Sequence, residues 1–163
     1  MPLPDDRSTV AVDYRAYLYA LAPLTAVALA AILSGADPLA GDIGIAGLFG
    51  AFPVAAGLAI VAWAVHTFAR AGVTPAPETT PDRLVTDGPL AYTRNPLYLG
   101  TVLGAGGVAI LSASPLAGGY AALMAVIYHL VVVYREEPRL TEAMGNEYER
   151  YCSSVPRWVG RRA

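Results

Sequence analysis

The sequence predicts an all-α integral membrane protein, a four-transmembrane-helix bundle with a C-terminal cytoplasmic interfacial helix. Three observations predict it. Of 163 residues only 15% are charged and 55% are apolar, with a mean hydropathy of +0.46, whereas soluble domains carry roughly 25% charged residues. The deficit is concentrated in three uncharged runs, Ala16–Ala36, Ile43–Ala69 and Asn95–Tyr134, of 21, 27 and 40 residues. The basic residues, finally, alternate along the chain with those runs. A bilayer span needs about 20 predominantly apolar residues, so the first two runs hold one span each and the third holds two.

The first span, about 16–36, follows a polar start and has no small-residue cleavage pattern behind it, so it reads as a helix and not a signal peptide. The second, about 46–69, carries Pro53, where a kink is expected. It also carries Gly47, Ala51, Ala55 and Ala59 at four-residue spacing, a row suited to close helix packing. The third, about 97–112, opens on Gly100-x-x-x-Gly104, a row of the same kind. The turn formers Ser112-Ala113-Ser114-Pro115 divide it from the fourth, about 116–134. What lies outside the runs is a loop at 70–94, a C-terminal amphipathic segment at 135–163 and short ends, none long enough for a soluble catalytic domain. The expectation is one membrane domain over 1–163, with any activity built in the membrane or at its surface.

There is no lysine, and the 11 basic residues are all arginine. Arg7 and Arg15 precede the first span; Arg70, Arg83 and Arg94 lie between the second and third; Arg135, Arg139, Arg150, Arg157, Arg161 and Arg162 follow the fourth. The short loops Asp37–Asp42 and Ser112–Pro115 have none. Positively charged loops stay inside, which places both termini and the 70–94 loop in the cytoplasm. The formal charge of −2 gives no reason to expect nucleic acid as a partner, and the single Cys152 excludes an internal disulfide and speaks against a cysteine-ligated metal. Gly104-Ala-Gly106-Gly-Val-Ala109 fits a loose dinucleotide pattern, but that pattern works only between a strand and a helix, and here it falls inside a span.

The polar residues collect in two places. The first is the 70–94 loop and the start of the third span. Pro75, Pro77 and Pro81 read as an extended tether, Asp87-Gly88-Pro89 as a turn, and Asn95-Pro96 as the N-cap and first residue of a helix. Arg94 and Asn95 then sit at the positive end of that helix, where backbone N–H groups receive an anion; a plain interfacial cap with a snorkelling arginine reads equally well. The second place is the end of the fourth span. Glu136 and Glu137 there oppose the helix dipole, so local propensity does not explain them. His129 is seven residues from Glu136 on the same helical face, and about 9 Å into the membrane. An ionisable residue in a span is a functional candidate; a neutral histidine bonded to a neighbouring helix is the plainer alternative, as it is for His66. Beyond them Leu140, Met144, Tyr148 and Tyr151 form one apolar stripe, expected either to lie in the interface or to cover the bundle from below. Val155-Pro156-Arg157-Trp158 adds an aromatic anchor.

Thr86-x-Gly88-Pro89-x-x-Tyr92-x-Arg94-Asn95-Pro96-x-Tyr98-x-Gly100 resembles the signature of the integral-membrane methyltransferases. That group includes isoprenylcysteine carboxyl methyltransferases and phospholipid methyltransferases. Glu136-Glu137-x-x-Leu140, then Gly145-x-x-Tyr148-x-x-Tyr151 and Val155-Pro156-Arg157, are similar to the same group's C-terminal motif. The resemblance implies S-adenosylmethionine as methyl donor and a lipophilic small molecule or lipidated substrate, carboxylate or amine, as acceptor from the membrane lipid phase. It implies cofactor contacts at Leu84, Val85, Asn95, Pro96, Leu97, Tyr98 and Glu136, with Arg94 suited to the methionine carboxylate and no metal. Asn95 stands where the family has histidine, Leu90 where an aromatic is frequent, and Met144 where phenylalanine is usual. The family's acceptor-carboxylate arginine falls on Val132, with Arg135 immediately before the glutamate pair. An amine acceptor needs a proton acceptor, for which Glu137 and His129 are the candidates. Two other readings compete: an NADPH-dependent membrane reductase of the sterol-reductase type, and a non-catalytic membrane scaffold.

Overall fold

The computed structural model describes residues 22, 25–29, 31–33, 45–73 and 83–160. Most of the expected first span, the Asp37–Asp42 loop and Pro75, Pro77 and Pro81 lie outside them. The described residues form helices α1 (Ile45–Ala71), α2 (Pro96–Leu111), α3 (Pro115–Val131), α4 (Glu137–Met144) and α5 (Asn146–Ser154). A short 3₁₀ turn at Gly88–Ala91 precedes α2, a π-helical turn at Val132–Glu136 joins α3 to α4, and no strand occurs among the described residues.

Among the described residues two helices are long and apolar enough to cross a bilayer, Phe49–Ala71 and the continuous rod Pro115–Met144. Their most apolar windows are only 22% and 17% buried, so neither is the enclosed core helix of a soluble protein. Phe49, Phe52, Leu58, Leu116, Leu123, Val126 and Leu130 all stand exposed, the arrangement a lipid solvent rewards and water does not. Helix α2, at 16 residues, is shorter than a usual span. The helical residues at 25–29 and 31–33 pack on the α2–α3 hairpin: Val27 and Ala31 share one core with Ala105, Ala117 and Ala121.

Helices α1 and α2 approach backbone to backbone. A Cβ on Gly57 would collide with the Gly100 carbonyl oxygen, and one on Gly107 would lie 2.6 Å from the Val54 nitrogen. The seam on α1 therefore runs through Gly50, Val54, Gly57 and Val61. The expected row of Ala51, Ala55 and Ala59 is exposed instead. Four-residue spacing marked the wrong stripe because alanine suits a lipid-facing surface as well as a packed one. On α2 the expected Gly100 and Gly104 do lie in the seam. Helix α1 runs through Pro53 and ends in a Schellman motif, with Gly72 at φ 65° and Val73 N–H donating to Phe68 O. The α2–α3 hairpin turns at Ser112–Ser114, where the Ser114 hydroxyl accepts from Ala117 N–H and caps α3.

The π turn has a sequence cause. Pro138 lacks the N–H that would reach the Tyr134 carbonyl, and its ring crowds that carbonyl. The ladder opens, and Glu137 N–H donates to Val132 O, five residues back. The expected apolar stripe also departs from one helix. Gly145, at φ 52°, breaks it into α4 and α5. Its residues still converge, since Leu140, Met144, Tyr148, Tyr151 and Val155 close into one cluster with Leu84. The stripe is thus used inward, covering the loop before α2.

Gly57→Ala should destabilise the purified protein by about 1–3 kcal/mol, because backbone and not a flexible side chain meets the new methyl. Gly106→Ala on α2, with nothing within 4 Å, should be neutral or stabilising. Thermal unfolding in detergent checks the pair; equal midpoints for the two variants would refute the close-packed seam.

Candidate active site

The segment before α2 is fastened from three sides. Gly88 sits against Thr67 and Trp63 of α1, and the Trp63 and Tyr92 rings lie 6.1 Å apart. The buried Tyr151 hydroxyl donates to Leu90 O at 2.7 Å. Burial pushes the phenols of Tyr148 and Tyr151 above their usual range. The C-terminal tail then returns alongside: Arg94 N–H donates to Pro156 O at 3.0 Å, and the Asn95 side-chain amide donates to Arg157 O at 3.0 Å. Asn95 precedes α2 as expected but makes no side-chain cap; its side chain holds the tail instead.

At the centre is a buried cation. The Arg94 side chain is 4% exposed, and its Nη1 lies 2.9 Å from Glu137 Oε1. Arg157 binds the same carboxylate in a fork, Nε to Oε1 and Nη2 to Oε2, both at 2.7 Å. That carboxylate holds the Arg157 guanidinium above the ordinary arginine range. Arg94 Nη1 also donates to Cys152 Sγ, while Arg94 Nε is buried with no partner among the described residues. Glu137 is thus engaged at both oxygens, and its expected part as a proton acceptor gives way to that of a tie between α2, α4 and the tail.

Glu136 goes elsewhere. Adjacent helical residues point about 100° apart, so Glu136 meets α2 and accepts a hydrogen bond from the Tyr98 hydroxyl. Arg135, exposed, and Arg139 lie near enough to interact with it electrostatically. The Tyr98 ring stacks on that of Tyr128 with centroids 4.5 Å apart. The π turn breaks the α-helical register that would set His129 and Glu136 on one face. Instead His129 Nδ1 accepts from Trp158 Nε1–H at 3.2 Å. His66 is exposed on α1.

Of the residues singled out in the sequence, Arg94, Asn95, Tyr98, Glu136 and Glu137 belong to this connected region, with Pro96 and Leu97 in the first turn of α2. Leu84 packs under the Tyr148–Tyr151 cluster and Val85 is half-buried beside it. Sequence reasoning missed Tyr128, Cys152 and the tail's role through Arg157. Nothing in the spacing of Tyr128 distinguishes it from a packing aromatic.

A family model described as phospholipid methyltransferase matches residues 45–147. The chain belongs to the phospholipid methyltransferase family. No curated protein and no solved structure matches it. The family is one of membrane methyltransferases that act on lipid, a setting with which the exposed apolar helices agree. In this methyltransferase the matched stretch contains both halves of the Arg94–Glu137 pair, whereas Arg157 lies beyond it.

Removing Glu137 leaves Arg94 buried without its counter-charge. Glu137→Ala should therefore cost about 3–5 kcal/mol, whereas Arg157→Ala, at a side chain 33% exposed, should cost about 1 kcal/mol. Chemical denaturation in mild detergent measures both. Equal losses would mean that the cluster is not organised around Arg94.

Proposed function

We propose that this protein transfers the methyl group of S-adenosylmethionine to the amine headgroup of a membrane lipid, at the cytoplasmic face of the bilayer. The observation that carries the reading is the division of the adjacent acids: Glu137 neutralises buried Arg94, while Glu136 is turned to the phenol of Tyr98.

The residues present suit the zwitterionic end of such a cofactor. The orphaned Arg94 Nε and the first-turn N–H groups of Leu97 and Tyr98, which have no intrahelical acceptor, form a donor set for a carboxylate. Glu136 suits the cofactor's cationic amino group or its ribose hydroxyls. Asn95 and Pro96 shape the turn, and Leu84 and Val85 wall the side towards the tail. Bound there, S-adenosylmethionine supplies an electrophilic methyl on a sulfonium.

An amine is favoured over a carboxylate acceptor because Arg94 and Arg157 are both committed to Glu137, and Val132, where a carboxylate-binding arginine would fall, is buried. The Glu136 carboxylate and two phenol rings attract a cation, while exposed Arg135 suits the lipid phosphate. An amine attacks in its neutral form, so the ammonium that the site attracts first gives its proton to Glu136 or to water at the cytoplasmic end of the site. His129 is not assigned the part of base, since its Nδ1 lone pair is occupied by Trp158. We read the helical residues at 25–29 and 31–33 as part of one further span and α2 as another, completing a four-helix bundle with both termini and the 70–94 loop cytoplasmic; the arginine distribution supports it.

Calorimetry on detergent-purified protein, with S-adenosylmethionine and NADPH in parallel, tests the cofactor. The expected result is saturable binding of S-adenosylmethionine that Glu136→Ala weakens at least tenfold in a folded variant. Binding of NADPH alone would move the chain to the reductase reading, and silence from both ligands with folded protein would favour a scaffold.

A further inference from the structure

Among the described residues, one side-chain hydroxyl is fully buried and has no hydrogen-bond partner: that of Tyr128. Buried hydroxyls are ordinarily satisfied, and an exception needs a reason. Tyr128 is on α3, outside both motif segments, and its ring lies 4.5 Å from that of Tyr98, whose own hydroxyl is given to Glu136. Its neighbours on the helix, Val126, Ile127 and Leu130, are 55%, 38% and 46% exposed. Those residues turn the outer face of α3 to lipid, whereas Tyr128 lies on the inner face with buried Ala121 and Val132, within the membrane-spanning part of the rod and against Tyr98.

That position decides what could satisfy it. A group arriving from the water side meets the Arg94–Glu137–Arg157 cluster and the start of α2 first. Tyr128 sits more than a helical turn before Glu136, on the membrane side of it. A ligand reaching it slides in along the bilayer with a polar head and apolar tails. The hydroxyl can donate to a phosphate or ester oxygen, or accept from an ammonium, and its ring offers a face to a cation.

We propose that the Tyr128 hydroxyl binds the polar head of the lipid acceptor and helps to position its amine beside Tyr98 and Glu136. This rests on the lipid-amine reading above. It makes Tyr128 an acceptor-selecting residue that the family motif does not contain. It also gives the unpartnered hydroxyl a sign that a structural role would not have: losing it should not harm the free protein.

The test compares wild type with Tyr128→Phe, using as probes a short-chain phospholipid with a primary amine headgroup and a matched phospholipid whose headgroup lacks the amine. Affinities are measured by calorimetry in detergent, alongside S-adenosylmethionine affinity and the thermal midpoint. The expected outcome is amine-lipid binding weakened roughly fivefold or more in Tyr128→Phe, about the value of one hydrogen bond. Cofactor affinity should be unchanged and the midpoint equal or higher. Equal amine-lipid affinity in the two proteins overturns the role of Tyr128 and leaves the lipid-amine reading standing. A lower midpoint in Tyr128→Phe also overturns it, since the hydroxyl would then be a structural group. Failure of wild type to prefer the amine probe over its matched control overturns the lipid-amine reading and this proposal with it.

Discussion

A guanidinium almost wholly removed from water is the constraint on which this arrangement depends. Arg94 can be buried only if a carboxylate meets it, and the carboxylate comes from the far end of the α3–α4 rod. To bring Glu137 there, the rod must end beside the start of α2, which the short hairpin at Ser112–Ser114 allows by setting α2 and α3 antiparallel. One acid facing one buried and one half-exposed arginine leaves local positive charge, and a forked contact with Arg157 draws in the tail. The backbone bonds from Arg94 N–H to Pro156 and from Asn95 to Arg157 follow from that approach. Three segments far apart in sequence are thereby held around a single charge.

The glycine seam sets the other coordinate. Because α1 and α2 touch through backbone at Gly57 and Gly100, no side chain stands between them to let one slide past the other. The last turns of α1 then fall at a fixed height beside the loop before α2, where Trp63 and Thr67 receive the Gly88 turn. Packing in the membrane thus determines where the polar segment begins, and the charge cluster determines where it is tied off. The site lies between two fixed boundaries, so the helices themselves hold its polar groups in place.

Much of the helical order was legible. Uncharged runs and turn formers located the helices that the structure describes, because in lipid the backbone must satisfy itself and long apolar runs have few alternatives. The motif residues Arg94, Tyr98, Glu136 and Glu137 were legible as a group, through their resemblance to a known signature. Their division of labour was not. Two neighbouring glutamates look equivalent in sequence, and which of them meets Arg94 and which meets Tyr98 is decided only by how the end of the rod lies against α2. The seam on α1 was misjudged because alanine at regular spacing is ambiguous between lipid and helix as neighbour. The single stripe from Leu140 to Tyr151 kept its partners while losing its continuity at Gly145, since hydrophobic residues specify what they touch more strongly than the path between them. Tyr128 left no trace at all, since its importance lies in an unmet hydrogen bond that only three-dimensional placement exposes.

The contrast between Glu137 and Tyr128 separates structural polarity from functional polarity in this protein. Every bond that Glu137 can make on its two oxygens serves the fold, and the same holds for the amide of Asn95 and the hydroxyl of Tyr151. A protein that uses its polar groups so fully could have carried phenylalanine at position 128 and lost nothing from its packing. Among the described residues the fold leaves two buried polar side-chain atoms unmet, Arg94 Nε just before α2 and the Tyr128 hydroxyl on α3. Stability given up at two such points, one within the motif and one stacked on Tyr98, is the pattern expected of a site shaped for a visitor. One of those points is at the positive end of α2 and the other lies on the inner face of α3, within the membrane-spanning part of the rod. A water-borne anionic group and a membrane-borne head would each find one of them. In the transfer proposed above, those two points are where the polar group of each substrate would be met.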